Sequence, residues 1–445
     1  MKFSSPVRCI LGGAAPRRLA AIVALGSLVW LVGCETPSGR KSPGTLTKAT
    51  PASQGMSQAR LARIDLMLQS AIDEGQIPGA VALVARNGHV VYHKAFGLAD
   101  NQAERPLASD DIFRIASQSK AITSTAVMML WEEGLFRLDD PIANYIPEFK
   151  EAAVLESYHA DTGEYTTRPA SNPITIRHLL THTSGIGYGV IDGDERIRKI
   201  YADAGIVDLF TTEPVTIEAN IKKLATLPLH HDPGERYTYS EGLDVLGYFI
   251  EIMSGQTFAE FLRERLFEPL GMHDTGFYLP ASKADRLVTV QKLEEGVWVP
   301  YPVTFYDPDY PVTGAKTFYS GGAGLCSTAK DYALFLQMYL NGGQLNGVRI
   351  LSRTTIETIM ANQTGDLFGG DSRYYGLAFG VVTPGGVAEG GWGSIGTFDW
   401  GGYFNTQYFA DPKERVVGIL MKQTQEAPDE TGWKFRLLTG QAIAD

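Results

Sequence analysis

Residues 112–134 read Ile-Phe-Arg-Ile-Ala-Ser-Gln-Ser-Lys-Ala-Ile-Thr-Ser-Thr-Ala-Val-Met-Met-Leu-Trp-Glu-Glu-Gly. A short apolar run ends at Ala116, as a strand would. A helix is predicted to begin near Ser117, because good or tolerable helix formers follow as far as Gly134, a natural C-terminal stop. Apolar residues occupy most of its circumference, so it should be buried on nearly all sides. Ser117 then sits at the positive end of a buried helix, with Lys120 one turn later on the same face. Backbone N–H groups there can hold an oxyanion, and a desolvated lysine can take a serine proton.

Ser-x-x-Lys is a weak pattern alone, and it recurs at Ser38–Lys41 and Ser327–Lys330. The first lies in a Ser/Gly/Pro-rich stretch. The third reads as part of a helix start, with Thr328 and Asp331 spaced as a capping box. Only Ser117 joins a strand end to a buried helix.

The 445 residues are 44% hydrophobic and 20% charged, an ordinary globular balance that suggests two or three domains. The first 33 residues read as an export signal: Lys2, Arg8, Arg17 and Arg18 precede an uncharged run from Leu19 to Gly33 that is short for a membrane span. Leu31-Val-Gly-Cys34 resembles a bacterial lipobox, which implies cleavage before Cys34 and a diacylglycerol on its sulfur. Residues 34–56 would then be the lipidated cysteine and a flexible Pro/Ser/Thr/Gly tether. The protein is thus expected in the cell envelope, facing the periplasm or exterior, with its membrane contact made through Cys34. The net charge of −11 becomes more negative once the signal is lost, which excludes nucleic acid as a partner. Of the three cysteines, Cys9 would be removed and Cys34 lipidated, leaving Cys326 unpaired, so no disulfide is expected.

Farther along, residues 57–74 show a helical apolar spacing through Leu61, Ile64, Leu68 and Ile72. Val81–Ala85 and Val90–Phe96 form a predicted hairpin across Arg86-Asn-Gly88. Residues 135–175 look irregular. Helices are predicted from Ile174 to Gly185 and over 216–227, 240–254 and 257–267. Strands are predicted over 377–383, 404–410 and 415–422. The expected organisation is an α/β domain made of 57–134 and 316–445, interrupted by a mainly helical domain over 135–315. A cleft at their seam is the natural ligand site.

Several runs together resemble the serine β-lactamase-like superfamily, especially class C β-lactamases and family VIII carboxylesterases. They are Ile77-Pro-Gly-Ala-Val81, Phe113 to Lys120, Ile174 to Gly185, Pro233-Gly-Glu-Arg-Tyr-Thr-Tyr-Ser240, Glu268-Pro-Leu-Gly-Met272 and Gly396-Thr-Phe-Asp-Trp-Gly-Gly402. The likeness spans nearly all of 57–435. It implies the β-lactamase/transpeptidase-like fold, an antiparallel sheet flanked by helices with a mainly helical insertion.

The first family motif is Ser117-x-x-Lys120, and the second, Tyr-x-Asn, is represented by Tyr239-Ser-Glu241. A phenol titrates near ~10, so Tyr239 needs a cation such as Lys120 to act as a base near neutrality. Glu241 is expected to meet the substrate with a negative charge. The third motif, Lys-Thr-Gly, is absent, and Trp400-Gly401-Gly402 stands in its place as in the family VIII esterases. The resemblance implies an oxyanion hole from the N–H groups of Ser117 and Tyr403. The activity implied is acyl-enzyme hydrolysis by Ser117, Lys120 and Tyr239 without metal or organic cofactor. The substrate would be a small ester or a β-lactam-like molecule, with the ester favoured. A β-lactamase, a D-alanyl peptidase or penicillin-binding protein, and a catalytically silent envelope binding module are the alternatives. His178 and His182 have metal-ligand spacing but no third ligand, so helix packing is expected of them. His230-His231 reads as a solvated turn. No Gly-x-Ser-x-Gly elbow, Walker loop or Rossmann glycine pattern occurs.

Overall fold

The computed structural model describes residues 46–425 and 427–445. The export signal and Cys34 lie outside the described residues.

One sheet draws on both ends of the chain. Its long strands are β1 (Gly79–Arg86), β2 (His89–Asp100), β3 (Arg373–Tyr375), β4 (Gly380–Val382), β5 (Phe398–Gly402), β6 (Thr406–Asp411) and β7 (Val416–Met421). They run in the order β2-β1-β7-β6-β5-β4-β3, every neighbouring pair antiparallel. The β1–β2 hairpin turns at Asn87 (φ 54°) and Gly88 (φ 81°), the left-handed pair that a two-residue turn requires.

The helices that matter for the site are α1 (Gln58–Asp73), α2 (Ser119–Glu132), α3 (Ile176–Leu180), α4 (Gly242–Ser254), α5 (Ala329–Leu340) and α6 (Thr431–Gln441). All eight residues of β1 are buried. Val81, Leu83 and Ala85 point into the core shared with α2 and α5, whereas Ala80, Ala82 and Val84 point into the core shared with α1 and α6. A strand covered on both faces has no polar side to show, which is why its sequence is a continuous apolar run. α1 is capped by Ser57, whose side chain accepts from the Arg60 N–H, and buries Leu61, Ile64, Leu68 and Ala71 at helical spacing.

Between the two halves of the sheet the chain is mainly helical. The segment read as irregular contains a hairpin, Ala153–Tyr158 with Tyr165–Pro169. Its strands are half exposed and polar, so no apolar alternation marks them. The helix expected from Ile174 to Gly185 stops at Leu180, and His182 turns left-handed at φ 57°.

Candidate active site

The chain reaches Ser117 along a strand end that is tied down on several sides. Phe113–Arg114 pairs antiparallel with Cys326–Ser327, and the Ile115 N–H donates to the Leu325 carbonyl (3.0 Å). The buried Arg114 guanidinium donates to the carbonyls of Val288 (2.7 Å) and Pro308 (2.5 Å). The Gln423 amide accepts from the Arg114 N–H and donates to the Arg114 carbonyl. At Ala116 the backbone takes φ 43°, a left-handed conformation that costs a side-chain-bearing residue about 1–3 kcal/mol. Such strain persists only where the surroundings over-determine it. A 3₁₀ turn over Ala116–Gln118 follows, so α2 proper begins at Ser119, two residues after Ser117. Between Asp111 and Leu130 every residue is buried except Ser117.

Lys120 is 1% exposed. Its ammonium donates to the Gly322 carbonyl (2.8 Å) and lies 3.4 Å from Ser117 Oγ. It also lies over two rings, 4.5 Å from the centroid of Tyr239 and 5.4 Å from that of Tyr188. Behind it stands Asp244, buried in the first turn of α4. Its carboxylate accepts from Ser320 Oγ (2.6 Å) and covers Gly322, where an added Cβ would fall 2.4 Å from Asp244 Oδ2. Burial raises the Asp244 pKa, and the nearby Lys120 cation works against that rise. The structure thus brings Ser117, Lys120 and Tyr239 into one group and adds Tyr188, Asp244 and Gly322. None of the three additions carries a sequence mark of its own. An Asp in a first helical turn is ordinary, and Gly322 lies within an unpatterned Gly-rich loop.

Trp400 neighbours Tyr239, with ring centroids 6.0 Å apart, and Tyr375 and Phe368 pack on it at 5.3 and 6.1 Å. Gly402 closes β5 against the turn that carries the serine. An added Cβ there would meet the Ile115 carbonyl at 2.5 Å and Thr406 Oγ1 at 2.2 Å. Only glycine permits this approach, which sets the next residue, Tyr403, beside the Ser117 turn. Gly401 has open space by comparison, with Thr406 O at 3.4 Å.

Glu241 departs from its expected place at the substrate. It is 1% exposed and precedes α4 with its carboxyl turned toward Asp208 and the Gly189 amide. Burial first, and Asp208 second, push its pKa well above the usual carboxyl range. It is therefore an interior acid whose burial favours the neutral form. The second motif offers the cleft Tyr239 and no charge from Glu241.

The other candidates find structural employment. Ser327 is buried and hydrogen bonded to Thr275 Oγ1 (2.8 Å), while Lys330 is exposed. His178 closes a capping box with Thr175 at the start of α3. His182 is buried against Tyr239. His230 and His231 are no solvated turn: His230 pairs with Asp192 (2.9 Å), and the buried His231 bonds to Thr238 Oγ1 and the Asp232 carbonyl. Tyr237 meets the His182 ring edge-on, centroids 5.7 Å apart. Burial pushes the Cys326 thiol up to about 12, which makes it inert.

The family model described as Beta-lactamase matches residues 64–441. Esterase EstB of Burkholderia gladioli is 33% identical, over 85% of this chain and 95% of its own. Lovastatin esterase of Penicillium rubens is 31% identical, over 80% of this chain and 91% of its own. Among solved structures, EstCE1, described as a hydrolase with promiscuous acyltransferase activity, superposes with a TM-score of 0.72 at 28% identity, covering 87% of this chain and 99% of its own.

Proposed function

The chain belongs to the beta-lactamase family, and from that premise we propose a serine carboxylesterase that works through an acyl-enzyme on Ser117. The observation that carries the reading is the exposure of Ser117 alone in a buried stretch, beside a buried ammonium that lies on Tyr239. Ser117 Oγ attacks the ester carbonyl carbon and gives its proton to the Tyr239–Lys120 pair. The tetrahedral oxyanion is held by the N–H groups of Ser117 and Tyr403. The C–O bond to the alcohol breaks as the pair returns the proton to the leaving oxygen. Water repeats the sequence on the acyl-serine and releases the acid.

Substrate preference follows from Trp400. An indole cannot offer the charge-assisted hydrogen bond that a lysine gives an antibiotic carboxylate, a loss of about 1.5–3 kcal/mol. The rings of Tyr239, Trp400 and Phe368, backed by the buried Tyr375, make an apolar wall suited to a neutral ester. The names of the esterase relatives support the same choice. The test compares kcat/KM for p-nitrophenyl butyrate and nitrocefin. The ester should exceed nitrocefin by about tenfold or more; nitrocefin at parity would favour a β-lactamase or D-alanyl peptidase. Labelling of Ser117 without turnover would point to a penicillin-binding receptor.

We further propose that the enzyme sits in the cell envelope, anchored by diacylglycerol at Cys34. The lipobox-like Leu31–Cys34 and the tether behind it support this reading. Mass spectrometry of the mature N-terminus should find the lipid, and an unmodified Cys34 would remove the anchor.

A further inference from the structure

We infer that His182 is a positioning residue for Tyr239, clamping the backbone on both sides of that tyrosine so that its phenol stays against Lys120. The inference rests on the reading of Tyr239 as the proton-transfer group.

Tyr239 lies in no helix or strand, so no ladder of backbone hydrogen bonds holds it. Its neighbours are both bonded to one residue. The Thr238 N–H donates to the His182 carbonyl (2.8 Å), and the Ser240 N–H donates to His182 Nδ1 (3.2 Å). Ser240 Oγ lies 3.1 Å from the same nitrogen. Between these two anchors the imidazole packs on the Tyr239 ring, centroids 4.7 Å apart, and meets Tyr375 edge-on at 5.7 Å. The face of Tyr239 is thus set by the same side chain that sets its backbone.

The chemistry of His182 fits this duty. A backbone N–H can only donate, so Nδ1 must be the unprotonated nitrogen, and the proton of the neutral ring sits on Nε2. Full burial, with the Lys120 cation nearby, lowers the His182 pKa well below its usual value. That shift favours the neutral ring, whose Nδ1 can accept from the Ser240 N–H. Nor is the residue easily replaced. At φ 57° it occupies the left-handed region, where His, Asn and Asp are the side-chain-bearing residues most often found.

Asparagine supplies the discriminating variant. Its Oδ1 is attached to Cγ as Nδ1 is, accepts a hydrogen bond, and tolerates a positive φ. Glutamine is equally polar, but its oxygen lies one methylene too far. His182→Asn should therefore keep kcat for p-nitrophenyl butyrate within about threefold, while His182→Gln and His182→Ala lose about 30- to 100-fold with KM little changed, because a misplaced group about 1 Å from its station costs up to that much. The rate of Ser117 labelling by a fluorophosphonate should fall in parallel. Thermal denaturation separates misfolding from misplacement; should His182→Ala fail to fold, the Asn–Gln pair decides. Equal activity of the Asn and Gln variants, a folded His182→Ala enzyme within threefold of wild type, or a loss expressed only in KM would each overturn the clamp. Tyr239→Phe keeps the two readings apart: its full activity would refute the role of Tyr239 itself, whereas an inactive Tyr239→Phe beside active His182 variants would refute only this inference.

Discussion

Gly402→Ala measures how closely the third motif must approach the serine turn. The added Cβ would stand 2.5 Å from the Ile115 carbonyl oxygen and 2.2 Å from Thr406 Oγ1. The hydroxyl can rotate aside, but the carbonyl cannot, because the Ile115 and Arg114 backbone is bound to Leu325 and Gln423. A carbon–oxygen contact relaxes only near ~3.3 Å, so β5 must retreat by roughly 0.8 Å. That retreat carries the Tyr403 N–H away from the oxyanion. A displacement of this size costs up to about 100-fold in kcat/KM, or about 2.7 kcal/mol of transition-state stabilisation. Gly402 is not in a left-handed conformation, so alanine adds no backbone strain and the effect is purely steric. Gly401→Ala is the control, since its Cβ meets nothing nearer than 3.4 Å and should stay within about threefold. Steady-state and burst kinetics on p-nitrophenyl butyrate, with melting temperatures of both variants, provide the assay. A folded Gly402→Ala enzyme within threefold of wild type would refute the placement of the oxyanion hole.

Ser117→Ala should abolish both turnover and fluorophosphonate labelling, whereas Ser327→Ala should leave both intact, since Ser327 is buried under Thr275; residual turnover above a trace at position 117 would reassign the nucleophile. Asp331 is held up to about 6 by burial, against backbone and Thr275 hydrogen bonds that lower it. A carboxyl raised in the folded state stabilises below its unfolded pKa and loses that contribution as pH rises through about 6, so urea unfolding should show wild type gaining on Asp331→Asn as pH falls from 7 to 4. A difference between the two that does not change with pH would count against it. Glu241 is raised by the same sign, so Glu241→Gln should keep ester activity, leave nitrocefin turnover unchanged and gain stability relative to wild type as pH rises. A rise in nitrocefin turnover would return Glu241 to the cleft.

Some of this was written in the chain locally. The strand end, the serine and the lysine are near neighbours in sequence, and their spacing alone brings serine and lysine together, although Ser117 lies in the 3₁₀ turn before α2 rather than in the helix itself. The Arg86-Asn-Gly88 turn and the cap of α1 are likewise matters of a few neighbouring residues, and the structure places them where short-range rules do. Tyr239 and Trp400 entered only through resemblance, since an aromatic residue in a loop or near a Gly pair looks the same whether it packs or reacts. Glu241 shows where such reading fails. Two residues after Tyr239, at the third position of the Tyr-x-Asn motif, it is expected at the substrate, yet the start of α4 turns its side chain inward to Asp208. Asp244 and Gly322 carry no local mark for a related reason, and the spacing of His182 points only to helix packing. Each acts on Lys120 or Tyr239 across long stretches of chain, through a buried carboxyl, a carbonyl or an acceptor nitrogen. Local sequence determines which backbone conformations are cheap. Which side chain ends up beside which is decided by packing distant segments into one core, where burial alone can change the charge that a residue carries.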